Sequence, residues 1–190
     1  KLGVKKAWPL ATGKGVTIAD CDAGFHINEP DLHANLLLEH AKDFSDTSNP
    51  TLVTDGGFVY HGTAVAAIMA GVLDGQGTNG IAYDAKVVPL QNFNYAANDK
   101  LDKEEATAAC ILGAIAIPDV NIIVLENQTA TGSSETFAGT REAVRLALQS
   151  GITIVSAGGN YSTELSAEQA DDTGSIIVGA LAQTGSQAGF

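Results

Sequence analysis

The sequence predicts an α/β domain: a mostly parallel sheet with helices on both faces. Short apolar runs alternate along the chain with segments of helical spacing. The apolar runs are also continuous, and continuous runs mark strands buried on both faces. A length of 190 residues suits one such domain with a proper core. Neither an internal repeat nor a low-complexity linker divides the chain, so residues 1–190 are read as a single domain.

The elements follow in order. GVTIADC (15–21) reads as a buried strand that delivers Asp22 at its end. His61 to Leu73 is a helix of small residues; Ala64 to Gly71 holds no lysine, glutamate or arginine, so this helix is predicted to be buried on nearly every side. AKVVPLQNF (85–93) is a second strand. Lys103 to Ile117 has helical spacing, with Asp102 as N-cap and Glu104 and Glu105 in the first turn, where the helix dipole favours acids. NIIVLE (121–126) is a third strand. Phe137 to Gln149 is amphipathic, with Arg141, Glu142 and Arg145 outward and Gly151 as terminator. ITIVSA (152–157) and SIIVGAL (175–181) complete the strands. The segments 40–60 and 127–136 are polar and are expected at the surface.

Composition narrows the function classes. Net charge is −12 with only 10 Lys and Arg, so no basic stripe exists for nucleic acid or for an anionic membrane surface. Apolar residues make up 45%, which argues against disorder. No apolar run approaches the ~18 residues of a membrane span. The first residues, KLGVKKAWPLATGKG, lack the apolar stretch of a signal peptide, which leaves a cytoplasmic protein or one whose targeting segment has been removed. Cys21 and Cys110 fall in a predicted strand and a predicted helix and read as unpaired core thiols; a disulfide or a reactive thiol is the alternative. No Cys/His pattern has zinc spacing.

Ligands of open α/β sheets gather beyond the carboxyl ends of the strands. Asp22 ends the first strand, Asn160 follows ITIVSA, and His61 opens a helix that starts at the same edge. Each has an ordinary alternative: a turn cap for Asp22, a satisfied helix-start histidine, a left-handed turn residue for Asn160. Their convergence on one edge favours chemistry. The partial positive charge of a helix N-terminus is expected to keep His61 neutral and ready to accept a proton. A buried carboxylate would fix its tautomer, and an asparagine amide would donate to a developing oxyanion. That is the equipment of acyl transfer without its nucleophile.

At these residues the sequence resembles the subtilisin-like serine proteases. DAGFHINEPDL (22–32) is similar to the family's D-[ST]-G segment with its PDL turn, HGTAVAAIMAG (61–71) to its H-G-T-H-V-A-G helix, and VSAGGNYS (155–162) to its A-A-G-N segment. GIAYDAKVVPLQNF (80–93) and SIIVGALAQTGSQAGF (175–190) extend the likeness nearly end to end. The resemblance implies a three-layer subtilisin-like fold, incomplete at its C-terminal side. It implies Asp22 as orienting acid, His61 as general base and Asn160 as oxyanion donor, acting on a peptide or protein substrate. The G-T-S-M-A nucleophile motif is absent, and Ser133, Ser134, Ser156 and Ser162 head no comparable helix. The serine is therefore expected from a C-terminal segment or a second chain, docked on an apolar face that residues 1–190 alone would expose, and the chain alone is expected to be inactive.

Further departures are Ala64 for the second histidine of the helix motif, Glu29 for the histidine that often precedes PDL, and Glu126, Asn127 and Gln128 where the family has the Ser-Leu-Gly wall of its substrate cleft. The resemblance also implies a structural calcium ion held by Asp31 and by Asp74 in the loop 72–78, and export from the cell. Two other readings stand beside the protease: a peptide-binding or regulatory module of the same fold without catalysis, and a phosphate-binding α/β protein. The phosphate reading lacks both a G-x-G-x-x-G after the first strand and a Walker lysine.

Overall fold

A computed structural model of the chain describes residues 3–46, 60–93, 103–130, 132–160, 170–186 and 188. The expected N-cap Asp102 and Ser162 lie outside the described residues. In chain order the elements are helix α1 (Val4–Ala7), strands β1 (Thr17–Asp22) and β2 (Lys42–Asp43), helix α2 (His61–Ala70), strand β3 (Lys86–Gln91), helix α3 (Lys103–Ile115), strands β4 (Val120–Leu125), β5 (Gln128–Thr129) and β6 (Gly132–Ser133), helix α4 (Ala138–Gln149), and strands β7 (Thr153–Ala157) and β8 (Ile176–Val178). Six strands form one sheet in the order β2-β3-β1-β4-β7-β8, with every pairing parallel.

The continuous apolar runs now have their cause. Neighbouring residues of β1 point to opposite faces of the sheet. Ala19 and Cys21 join Val88, Leu90 and Ile123 in a core that includes Ile111 and Ala114 of α3 and Val144 and Ala147 of α4. Ile18 joins Val87 and Val124 in a second core with Ala66 and Ala70 of α2. Helices thus cover both faces, and the three-layer arrangement holds. Strand β8 differs: Ile176, Ile177 and Val178 are each more than half exposed. Among the described residues no helix covers that edge.

The small residues of α2 serve contact on one side only. Ala66 and Ala70 are fully buried, and a Cβ at Gly62 would sit 2.7 Å from the Phe25 ring. The opposite side faces solvent, with Ala64 exposed and Ile68 58% exposed, which corrects the expectation of burial all round. A helix apolar on every side has no stripe to show which side is covered. It also ends at Ala70 rather than Leu73, because Gly71 leaves the helical region at φ −54, ψ 138.

The cysteines correct the sequence reading too: Cys21 and Cys110 form a disulfide, and no free cysteine remains. The strand pleat aims Cys21 at α3, and Cys110 lies on the sheet-facing side of α3. Residues 89 apart meet only through this packing, so nothing local announced the pair. Closing so long a loop removes much freedom from the unfolded chain. Replacing both cysteines with alanine is expected to lower stability by about 2–4 kcal/mol. Urea unfolding of the C21A/C110A variant checks this, and an unchanged midpoint would contradict it.

Candidate active site

From β1 the sheet extends one way through β3 and β2 and the other way through β4, β7 and β8. The crevice of such a sheet opens beyond the carboxyl ends of the strands where this order reverses. Asp22 is the last residue of β1, Glu126 follows β4, and Asn160 lies three residues past β7. These three, with His61 at the start of α2, line one cavity of about 720 Å³, to which Asn127, Gln128 and Phe137 also contribute.

Within the cavity a hydrogen bond joins Asp22 to His61. The imidazole Nδ1 lies 2.6 Å from Asp22 Oδ1 and 2.8 Å from Oδ2. A carboxylate only accepts, so Nδ1 carries the proton and Nε2 is left as the basic nitrogen. Asp22 is 1% exposed, whereas the His61 side chain is 49% exposed. The loop after β1 sets this geometry. The Ala23 amide donates to Asp22 Oδ1 at 2.5 Å, the Gly62 amide to the Ala23 carbonyl at 3.0 Å, and the His26 amide to Thr63 Oγ1 at 2.8 Å. With Phe25 seated against Gly62, the first turn of α2 is pinned to the end of β1.

The hydrogen bond to Asp22 raises the His61 pKa, burial opposes the rise, and the charges of Asp22 and Glu126 add to it. The helix terminus is expected to favour the neutral ring, and Asp22 works in the other direction. A full carboxylate charge in hydrogen-bond contact outweighs the partial charge of a helix end. Burial raises the pKa of Glu126, repulsion from Asp22 adds, and His61 opposes.

Sequence reasoning missed Asp20. It shares the Asp22 face of β1, is completely buried, and neither of its carboxyl oxygens has a hydrogen-bond partner among the described residues. Burial first, then Asp22 and Glu126, push its pKa well up, so the group is held as the neutral acid. The signal was present in TIADCD, where polar residues recur at strand period inside an apolar run.

Asn160 is exposed and its backbone is not left-handed; the positive φ of this turn falls on Gly159, at +92°. The turn alternative for Asn160 therefore fails. The segment 127–136 departs from the expected surface loop. Gln128 and Thr129 pair with Ser133 and Gly132 in an antiparallel ladder, Asn127 Nδ2 donates to Asn92 Oδ1 at 2.7 Å, and Ser133, Ser134 and Glu135 are buried. The Ser133 and Ser156 hydroxyls bond each other at 2.8 Å in the interior.

Asp31 and Asp74 lie away from this cavity's lining. Asp31 Oδ2 accepts from the Thr78 amide at 2.6 Å, and a Cβ at Gly77 would sit 2.0 Å from the same oxygen, so the loop wraps onto the carboxylate. Asp74 Oδ1 accepts from the Gln76 amide at 2.9 Å. Among the described residues no group of three or more His, Cys, Asp or Glu side chains is assembled for a metal.

The family model described as "Subtilase family" matches residues 13–190. An extracellular protease of Xanthomonas campestris pv. campestris is 27% identical over 219 residues, covering 100% of this chain and 37% of the relative. Neuroendocrine convertase 2 of Homo sapiens is 31% identical over 156 residues, covering 80% of this chain and 23% of the relative. The chain thus spans well under half the length of these curated relatives. Among solved structures, sphericase shares the fold with a TM-score of 0.75 and 24% identity, over 98% of this chain and 63% of that one. The prenylagaramide maturation protease PagA does so with 0.73 and 23%, over 100% and 62%.

Because the folded pKa of His61 is raised, its pairing with Asp22 contributes stability below the unfolded value of 6.5, which is lost as pH rises through the folded value. An NMR titration of the His61 ring is expected to give a midpoint above 6.5, falling in D22N; a midpoint at or below 6.5 would refute the pairing. For Asp20 the raised folded pKa means stability falls as pH climbs past the unfolded value of 3.8. Asp20→Val is therefore expected to gain about 1–3 kcal/mol at pH 7, and less at pH 4. Urea unfolding at the two pH values reads both the gain and its pH trend.

Proposed function

The chain belongs to the subtilase family, and from that premise we propose that it is the front section of a serine endopeptidase. It would hydrolyse peptide bonds by acyl transfer, with the serine supplied by a segment or second chain outside residues 1–190. One observation carries this reading: the Asp22–His61 hydrogen bond of 2.6 Å opens onto a cavity that Asn160 also lines. Two relatives matching the chain are named proteases, which supports the class of chemistry.

Each group then has a task. Asp22 holds the Nδ1–H tautomer and stabilises the imidazolium that forms. His61 Nε2 takes the proton of the attacking hydroxyl and returns it to the leaving amine. The Asn160 carboxamide donates to the oxyanion of the tetrahedral intermediate. Glu126, Asn127 and Gln128 form the edge along which a peptide lies as an added strand. Exposed Ile68, Ile176, Ile177, Val178 and Leu181 suit an apolar segment that brings the nucleophile to His61.

Asp31, cradled by the loop over Gly77, and Asp74 with nearby backbone carbonyls are hard oxygen donors that fit a structural calcium ion. Export is supported by the disulfide, which persists in oxidising compartments, and by the relative named an extracellular protease. Among the described residues no helix is long and apolar enough to cross a membrane. A second reading, a peptide-binding module without catalysis, is favoured by the Glu126-Asn127-Gln128 edge, which departs from the family's wall.

The chain alone is expected to show no peptidase turnover. Adding the segment that carries the nucleophile is expected to restore cleavage of a peptide anilide. Asn160→Ala should then lower kcat by about a hundred- to a thousandfold with little change in KM, the loss known for the corresponding donor in subtilisin. A correctly folded, reconstituted domain that stays inactive would favour the binding module.

A further inference from the structure

Building on the reading of this cleft as a peptide site, we infer that Glu126 selects a cationic substrate residue. A lysine ammonium or arginine guanidinium enters the cavity beside Asn160 and pairs with the Glu126 carboxylate.

Three observations lead there. Glu126 lines the 720 Å³ cavity and also an adjoining one of about 270 Å³, bounded by residues 155–160 and by Val178, Gly179 and Ala180. A side chain reaching either space meets this carboxylate. The larger cavity is lined by two carboxylates, Asp22 and Glu126, and by no lysine or arginine among the described residues. Asp22 already has its partner in His61, whereas burial and the Asp22 charge work against ionised Glu126, the His61 charge opposes them only in part, and Glu126 is held by no ion pair among the described residues. Three cations of the chain are engaged elsewhere. Arg145 pairs with Glu142 and Asp171, Arg141 donates to the carbonyls of Glu135 and Thr136, and Lys86 donates to Ala34 and Asn35.

The neighbours of Glu126 on the same edge are committed. Asn127 is tied to Asn92, and Gln128 sits in the ladder with Ser133. Phe93 and Phe137 add apolar surface to the cavity, suited to the methylene stem of a long cationic side chain whose head reaches the acid. An arriving cation neutralises a half-buried carboxylate that His61 compensates only in part, so the pairing discriminates against both neutral and acidic side chains.

The test needs no nucleophile. Fluorescein-labelled hexapeptides identical except for one central residue, Lys, norleucine or Glu, are titrated with the chain and followed by anisotropy. Norleucine keeps the stem and removes the charge. The Lys peptide is expected to bind about tenfold more tightly than the norleucine peptide, with the Glu peptide weakest. In E126Q the Lys-to-norleucine ratio should fall towards one, and in E126K the Glu peptide should overtake the Lys peptide; circular dichroism confirms that both variants fold. Equal binding of Lys and norleucine peptides, or a ratio that survives E126Q, overturns the inference and leaves the peptide-cleft reading standing. Binding of none of the three overturns both.

Discussion

The close approach of the first turn of α2 to the end of β1 is the constraint on which the rest of the site depends. Asp22 and His61 stand 39 positions apart in sequence, and their side chains meet at 2.6 Å. That contact exists because a glycine at 62 admits Phe25 and because two hydrogen bonds join the loop after β1 to the helix start. A larger residue at position 62 would push the helix from the strand, and the imidazole would lose its carboxylate. Alanines at 66 and 70 continue the same close packing along the sheet. Small residues therefore set the precision of that contact without taking part in it.

Around this contact the chain concentrates negative charge in a poorly solvated place. Asp22 is compensated by the imidazole. Asp20, buried behind it, avoids the problem by keeping its proton. Glu126 is the member left half-exposed at the cavity wall, with burial and Asp22 both opposing its ionisation. One face of one strand and the residue after its neighbour thus present three acids in three different surroundings. Their environments differ more than their chemistry does, and environment decides which of them can act on a ligand.

The fold was legible because its main signal is one-dimensional. Strands buried on both faces must be continuously apolar, as the runs around Ile18, Val87, Ile123 and Ile154 are. The site residues were legible for a related reason: a parallel sheet places strand ends and helix starts on one edge, so Asp22, His61 and Asn160 converge by topology. Other features were illegible for equally physical causes. The solvent face of α2 carries the same residue types as its buried face, so periodicity had nothing to report. The segment 127–136 is polar, yet its polar groups are satisfied internally, as when Glu135 accepts from Thr173 at 2.6 Å and from Ser175 at 2.7 Å. Polarity alone does not separate a solvated loop from a hydrogen-bonded interior.

By itself, then, the sequence determined the layer architecture, the element order and the edge on which Asp22, His61 and Asn160 gather, because these follow from local pattern and from the handedness and direction of parallel strands. Only the tertiary structure decided the partners: Cys21 with Cys110, Asp22 with His61, and Asp20 with no hydrogen-bond partner among the described residues. Pairing depends on distances across the packed layers, and protonation depends on how much water and charge surround each group. Both are properties of the assembled interior, which no window along the chain contains.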